Sequence, residues 1–101
     1  MKITEEQINR ANIVNLPSFL ISNGFPLKKA GREFVWQEHD SLHIKDNTNG
    51  ERGKWYRFST GEGGDNISFL QQYMGKTFVE AVETLNGERY EREHVPSYII
   101  D

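Results

Sequence analysis

Cysteine is absent from the chain, and its absence removes whole classes of chemistry at once. No disulfide scaffold, no thiol nucleophile and no thiolate-held zinc or iron-sulfur centre can be built from these residues. Long apolar runs are also missing. No stretch approaches the roughly 18 apolar residues of a membrane span, and the opening Met1-Lys2-Ile3-Thr4-Glu5-Glu6 lacks the apolar core of a secretory signal. A cytoplasmic protein with no membrane attachment is expected. Basic charge is in slight deficit, with 12 Lys and Arg against 15 Asp and Glu and a net charge of −3. A uniformly basic nucleic-acid binder is thereby excluded.

What is present is one domain's worth of chain, 101 residues, with a mean hydropathy of −0.72 but 12% aromatic residues. So many rings do not belong to a solvated disordered chain, and they predict a small core built on large side chains. The charge is segregated. Residues 28–57 carry seven basic side chains (Lys28, Lys29, Arg32, Lys45, Arg52, Lys54 and Arg57) against five acidic ones, whereas residues 80–101 hold six acids against Arg89 and Arg92.

Helix signals stand at both ends of the chain. Thr4-Glu5-Glu6-Gln7 fits a capping box, and Asn15 can cap a second helix through Leu16 to Ser22, with Pro17 in its first turn and Gly24 just past its end. Leu16, Phe19 and Leu20 form the buried stripe of that helix. Asp65 caps a third helix carrying Ile67, Leu70 and Met74, stopped by Gly75. Thr77-Phe78-Val79-Glu80 is a second capping box, opening a fourth helix whose stripe is Phe78, Ala81, Val82 and Leu85. Between these pairs, short aromatic and β-branched runs read as a meander of about three strands: Glu33 to Gln37, Ser41 to Lys45 and Lys54 to Ser59. Leu42 and Ile44 alternate with His43 and Lys45, Asn47-Thr48-Asn49-Gly50 signals a turn, and Gly61 to Asp65 reads as a flexible loop. The fold class is α+β, a small antiparallel sheet flanked by N-terminal and C-terminal helices. The domain is expected over 1–87, with 88–101 a charged tail or linker. Val95, Tyr98, Ile99 and Ile100 within it are apolar residues that gain nothing if exposed, and two readings are open: a chain cut short, or a segment that pairs with something absent.

Catalysis has little support. His39, His43 and His94 are scattered, there is no nucleophile elbow, and Gly61-Glu62-Gly63-Gly64 is neither a P-loop nor a dinucleotide fingerprint. Catalytic residues and cofactors are expected to be none. The glycines serve a strand-to-helix turn, with the alternative that free amides there attract a phosphate. The most informative stretch is Arg52-Gly53-Lys54-Trp55-Tyr56-Arg57-Phe58, where cations and rings interleave on one strand. Two arrangements are open. Trp55 and Arg57 face outward as a stacking ring and cation for single-stranded nucleic acid, or Trp55 faces the core with Arg57 at its rim.

The pieces Lys28-Lys29-Ala30-Gly31-Arg32, the hairpin around Asn49-Gly50, Gly63-Gly64-Asp65-Asn66-Ile67-Ser68-Phe69-Leu70 and Phe78-Val79-Glu80-Ala81-Val82-Glu83-Thr84-Leu85 occur in this order. Together, over about Ala11 to Gly87, they resemble the N-terminal Cys-His-Cys-Cys zinc-binding domain of bacterial-type DNA primases. The resemblance puts Trp36, His39, Arg57 and Thr60 at the former ligand positions, so that only His39 keeps a ligand type. It implies a zinc-ribbon-like fold that binds no zinc. Such a metal contributes on the order of 10 kcal/mol of folding free energy, so packing must offset its loss, with Trp36, Trp55 and Phe58 as replacements. Cysteine-free versions resemble domains that precede a TOPRIM catalytic domain in proteins of conjugative elements and plasmids. The resemblance thus implies a non-catalytic module, engaging DNA, single-stranded by analogy with primase templates, through Lys28, Lys29, Arg32, Lys45, Arg52, Lys54, Trp55 and Arg57. Other domains of the parent protein are further expected partners. The alternative is a protein-interaction or scaffolding domain that has lost both metal and DNA contact, which the acidic C-terminal segment favours.

Overall fold

The computed structural model describes residues 3–48 and 50–89, with the side chains of 39–41 outside the description. Its elements run α1 (Glu5–Asn12), α2 (Leu16–Ser22), β1 (Leu27–Ala30), β2 (Glu33–Trp36), β3 (His39–Lys45), β4 (Trp55–Arg57), β5 (Glu62–Gly64), α3 (Asn66–Tyr73) and α4 (Phe78–Asn86). The α+β class is as expected, but the sheet has five strands rather than about three. It is a purely antiparallel meander in the order β1-β2-β3-β4-β5. The two additional strands are short and poor in β-formers. Leu27–Ala30 is half lysine, and Glu62–Gly64 lies in what reads by composition as a flexible loop; ladder pairing with β2 and β4 makes them strands.

The helix boundaries follow local chemistry. Thr4 and Gln7 exchange side-chain and backbone hydrogen bonds at 2.8 and 3.1 Å, and Thr77 and Glu80 do the same at 2.9 and 3.2 Å. Asn15 accepts from Ser18 N at 2.8 Å, and Asp65 accepts from Ser68 N at 3.0 Å. α4 ends at Gly87 in the left-handed region, φ 67°, where a Cβ is penalised.

All four helices stand on one side of the sheet. Trp36, Leu42, Ile44 and Trp55 project from that side and pack with Leu16 and Leu20 of α2 and with Phe69 and Leu70 of α3. α1 and α4 pack on α3 and on each other, burying Ala11, Ala81, Val82 and Leu85. Phe78, placed in the buried stripe by its spacing, is instead 39% exposed at the first position of α4. A second aromatic group fills the sheet-to-helix space: Trp36 lies 5.3 Å from Phe25 and 5.7 Å from Tyr73, and Trp55 lies 5.8 Å from Phe69, centroid to centroid.

Three buried asparagines lock the layers together. Asn47 donates to Val14 O at 2.8 Å and Glu51 O at 2.9 Å, and accepts from Leu16 N at 3.1 Å. Asn66 donates to Ala11 O and Val14 O at 3.0 and 2.8 Å, while Asn12 accepts from Ile67 N at 3.2 Å. The Asn47-Thr48-Asn49-Gly50 stretch therefore does more than turn the chain. It carries the side chain that holds the α1–α2 junction against the β3–β4 connection. His94, Val95, Tyr98, Ile99 and Ile100 lie outside the described residues.

Candidate nucleic-acid interface

Strand register decides which side chains face away from the helices. Lys28 stands opposite Val35, Val35 opposite His43, His43 opposite Tyr56 and Tyr56 opposite Gly63, one row across the whole sheet. The next row holds Ala30, Glu33 and Lys45, continued to Lys54 by the Lys45 N to Lys54 O bond of 2.9 Å. By the pleat, these residues occupy the face opposite Trp36, Ile44 and Trp55.

A polar and aromatic group organises that outer face. The His43 and Tyr56 rings are stacked at 5.7 Å with 13° between planes, and Phe58 meets both edge-on at 4.8 and 4.7 Å. The Tyr56 hydroxyl donates to Glu33 Oε2 at 3.1 Å, and His43 Nδ1 lies 3.0 Å from Glu33 Oε1. Partial burial, followed by the Glu33 hydrogen bond and the Glu33 charge, raises the Tyr56 pKa above its ordinary value, favouring the protonated, donating phenol. Phe58 is 63% exposed, and Gly63, opposite Tyr56, adds no side chain beside it.

The sequence-predicted residues divide. Lys28, Lys45 and Lys54 share the outer face and are exposed. Lys45 Nζ lies 3.4 Å from Glu51, a contact between half-exposed partners that contributes little. Arg32 is exposed in the β1–β2 turn. Lys29 points to the other side, its Nζ 6.0 Å from the Phe34 ring centroid. Arg52 donates to Asp65 Oδ2 at 2.7 Å. That carboxylate also caps α3, so the helix start presents a negative group where a phosphate would sit.

Trp55 is the clear correction. It is fully buried, and its indole Nε1–H is shared between Asp65 O at 3.0 Å and Ser68 Oγ at 3.1 Å. Of the two arrangements of β4, the core-facing one holds, and Trp55 has no surface on which a base could stack. Arg57 accompanies it on the inner side, half-buried opposite Leu42 and Glu62. Phe58 is corrected in the opposite sense: expected inside as a replacement for metal, it is the most exposed large apolar residue among those described. His43, Tyr56, Phe58 and Glu33 were legible in principle, since the Leu42 to Lys45 alternation already puts His43 beside Lys45. What sequence did not show was the register that places Tyr56 and Glu33 around the same imidazole.

The remaining geometry concerns the ends of β2 and β4. Trp36 and His39 pair across the β2–β3 turn, and Gly61 N and Thr60 N close a turn onto Arg57 O at 2.8 and 3.3 Å. Two turns thus close the ends of these strands. The CHC2 zinc finger family matches the chain over residues 2–95. The chain belongs to that family. It is also 34% identical over 90 residues to a DNA primase of Myxococcus xanthus, the alignment covering 83% of this chain and 14% of that protein. It therefore spans about one-seventh of that relative's length.

The zinc that the family's name implies does not fit this member. Of the residues that the sequence resemblance puts at ligand positions, Trp36 supplies a ring packed between Phe25 and Tyr73, Arg57 a cation, and Thr60 a hydroxyl that donates to Glu62 Oε1 at 3.1 Å and accepts from Glu62 N at 3.2 Å. None of these three is a thiolate or imidazole, which leaves His39 as a single imidazole where tetrahedral structural zinc requires four such ligands. Among the described residues no group of three or more His, Asp or Glu side chains could hold a metal ion, and no helix is long and apolar enough to cross a membrane. In this CHC2 member the Phe25, Trp36, Phe69, Tyr73 cluster fills the space between the sheet and α3.

Proposed function

We propose that this domain engages single-stranded DNA across the outer face of its sheet, as the non-catalytic, template-engaging module of a primase-like replication or mobilisation protein. The observation that carries this reading is the solvent-facing His43, Tyr56 and Phe58 group bordered by Lys28, Lys45 and Lys54. Rings at a surface cost free energy unless something covers them, and rings beside cations are how single strands are held without a sequence code. Membership of the CHC2 family and the likeness to a DNA primase support the same reading. Catalysis, in a TOPRIM domain of the parent protein, and a mobile-element setting rest on the resemblance of the cysteine-free sequence alone. In this reading the domain is 1–87, residues 88–101 link it to its parent, and the protein works in the cytoplasm.

Three outer-face lysines release counterions at about 0.7 per phosphate on a single strand, so the affinity falls with salt at a logarithmic slope of about −2. Fluorescence anisotropy with a labelled single strand and a duplex of equal length, at two salt concentrations, tests this. Single-strand binding that weakens with salt is expected, with Phe58→Ala lowering affinity several-fold and Lys54→Glu lowering it and flattening the slope. Failure to bind at low salt sinks the proposal and favours the protein-interaction alternative.

A further inference from the structure

The outer face contains one group that a pure phosphate-and-stacking surface would be better without. Glu33 places a carboxylate in the row that also holds Lys45 and Lys54, and a carboxylate there repels the backbone phosphates that the lysines attract. It is also held in place. Tyr56 OH donates to one of its oxygens at 3.1 Å, and His43 Nδ1 lies 3.0 Å from the other. Its side chain nonetheless remains 34% exposed. A carboxylate offers about four acceptor sites and no donor, so two protein partners leave acceptor capacity on the solvent side. The group is therefore a fixed, acceptor-only edge beside a ring surface.

That combination discriminates among bases. A base laid on the rings meets Glu33 with its Watson–Crick edge, where single-stranded bases are read. Guanine presents two adjacent donors there, N1–H and N2–H2, matching the two carboxylate oxygens. Cytosine and adenine each set a ring-nitrogen acceptor beside their amino group, and thymine flanks its single N3–H with two carbonyl oxygens. Each of those three turns at least one lone pair toward the carboxylate.

We infer that Glu33 is a specificity-determining residue that selects guanine at one position of the bound single strand, with the His43, Tyr56 and Phe58 rings carrying the stacked base. The inference rests on the single-strand reading above. The Tyr56 hydroxyl has a second, positioning part, holding the carboxylate toward the base by its hydrogen bond to Glu33 Oε2.

The test compares anisotropy titrations of the 101-residue chain with an all-thymidine oligonucleotide, the same oligonucleotide carrying one central dG, and one carrying deoxyinosine, which lacks the N2 amino group. A bidentate pair of this kind is worth a preference on the order of ten-fold. The dG strand is expected to bind about that much tighter than all-thymidine, with deoxyinosine between them. Glu33→Gln should erase most of the dG preference while leaving all-thymidine binding as strong or stronger, because a negative charge has gone. Tyr56→Phe, which keeps the ring and loses the hydroxyl, should lower the ratio of dG to all-thymidine affinity. Equal binding of all three strands overturns the inference and leaves the single-strand reading standing, as does a dG preference that Glu33→Gln retains. No binding of any strand overturns both.

Discussion

Tyr56 ties the outer face together, and its ionisation has a calculable consequence. Its phenol is partly desolvated and donates to a carboxylate, so the protonated form is favoured in the fold and its pKa lies above the ordinary 10.0. The native chain consequently holds this proton when the unfolded chain has released it. Its contribution to stability is full below pH 10, where both states are protonated, and declines as the pH rises from there through the folded-state pKa. Tyr56→Phe lacks the ionisation, so its melting temperature should fall less than the parent's between neutral and strongly alkaline pH. Parallel slopes for the two proteins would show that the hydroxyl is not engaged as described. Gly64 shows the same residue-scale precision on the inner side. A Cβ there would overlap Ser68 Oγ and come 3.3 Å from the Trp55 indole nitrogen, so the glycine is what lets β5 lie against α3 while Trp55 is buried.

Among the elements, the β3–β4 connection matters more than its turn-like composition suggests. Asn47 is 1% exposed, and its amide bridges Val14, Leu16 and Glu51. A neighbouring bond from Gly53 N to Asn12 O at 2.7 Å closes the same seam. Asn47→Ala removes both donors and the acceptor together, leaving the Leu16 amide and the Val14 and Glu51 carbonyls short of partners. The expected loss is on the order of 3 kcal/mol, read as a lower urea midpoint with an unchanged slope. A loss below about 0.5 kcal/mol would mean that water replaces the amide without cost. α3 depends on a similar device at its start, where Asp65 both caps the helix and accepts from Arg52.

At the scale of the whole molecule, the question is what stands in for a metal. In a CHC2 member without thiolates, cohesion comes from rings: Trp36 against Phe25 and Tyr73, and Trp55 against Phe69 and Tyr73. Each buried aromatic contributes both area and pair geometry. The melting temperature should therefore be indifferent to strong chelators, and elemental analysis should find no stoichiometric zinc. A melting temperature that drops on chelation, or one zinc per chain, would overturn the packing account. The same arrangement separates the two faces of the sheet, so that rings inside carry stability and rings outside are available to a ligand.

Sequence by itself determined the helices, because caps and stops act over three or four residues: Thr4 with Gln7, Asn15 with Ser18, Asp65 with Ser68, and Thr77 with Glu80. It also determined the absence of thiolate ligands and the gathering of cations between Lys28 and Arg57. Only tertiary structure decided the number of strands, since Leu27–Ala30 and Glu62–Gly64 become strands by pairing with neighbours rather than by their own preference. It also decided the orientation of β4. Alternation puts Trp55 and Arg57 on one side and Tyr56 and Phe58 on the other, but a period of two carries no sign. The sign came from α3, whose Asp65 carbonyl and Ser68 hydroxyl receive the Trp55 indole N–H, a contact between elements ten and thirteen residues apart that no local pattern encodes.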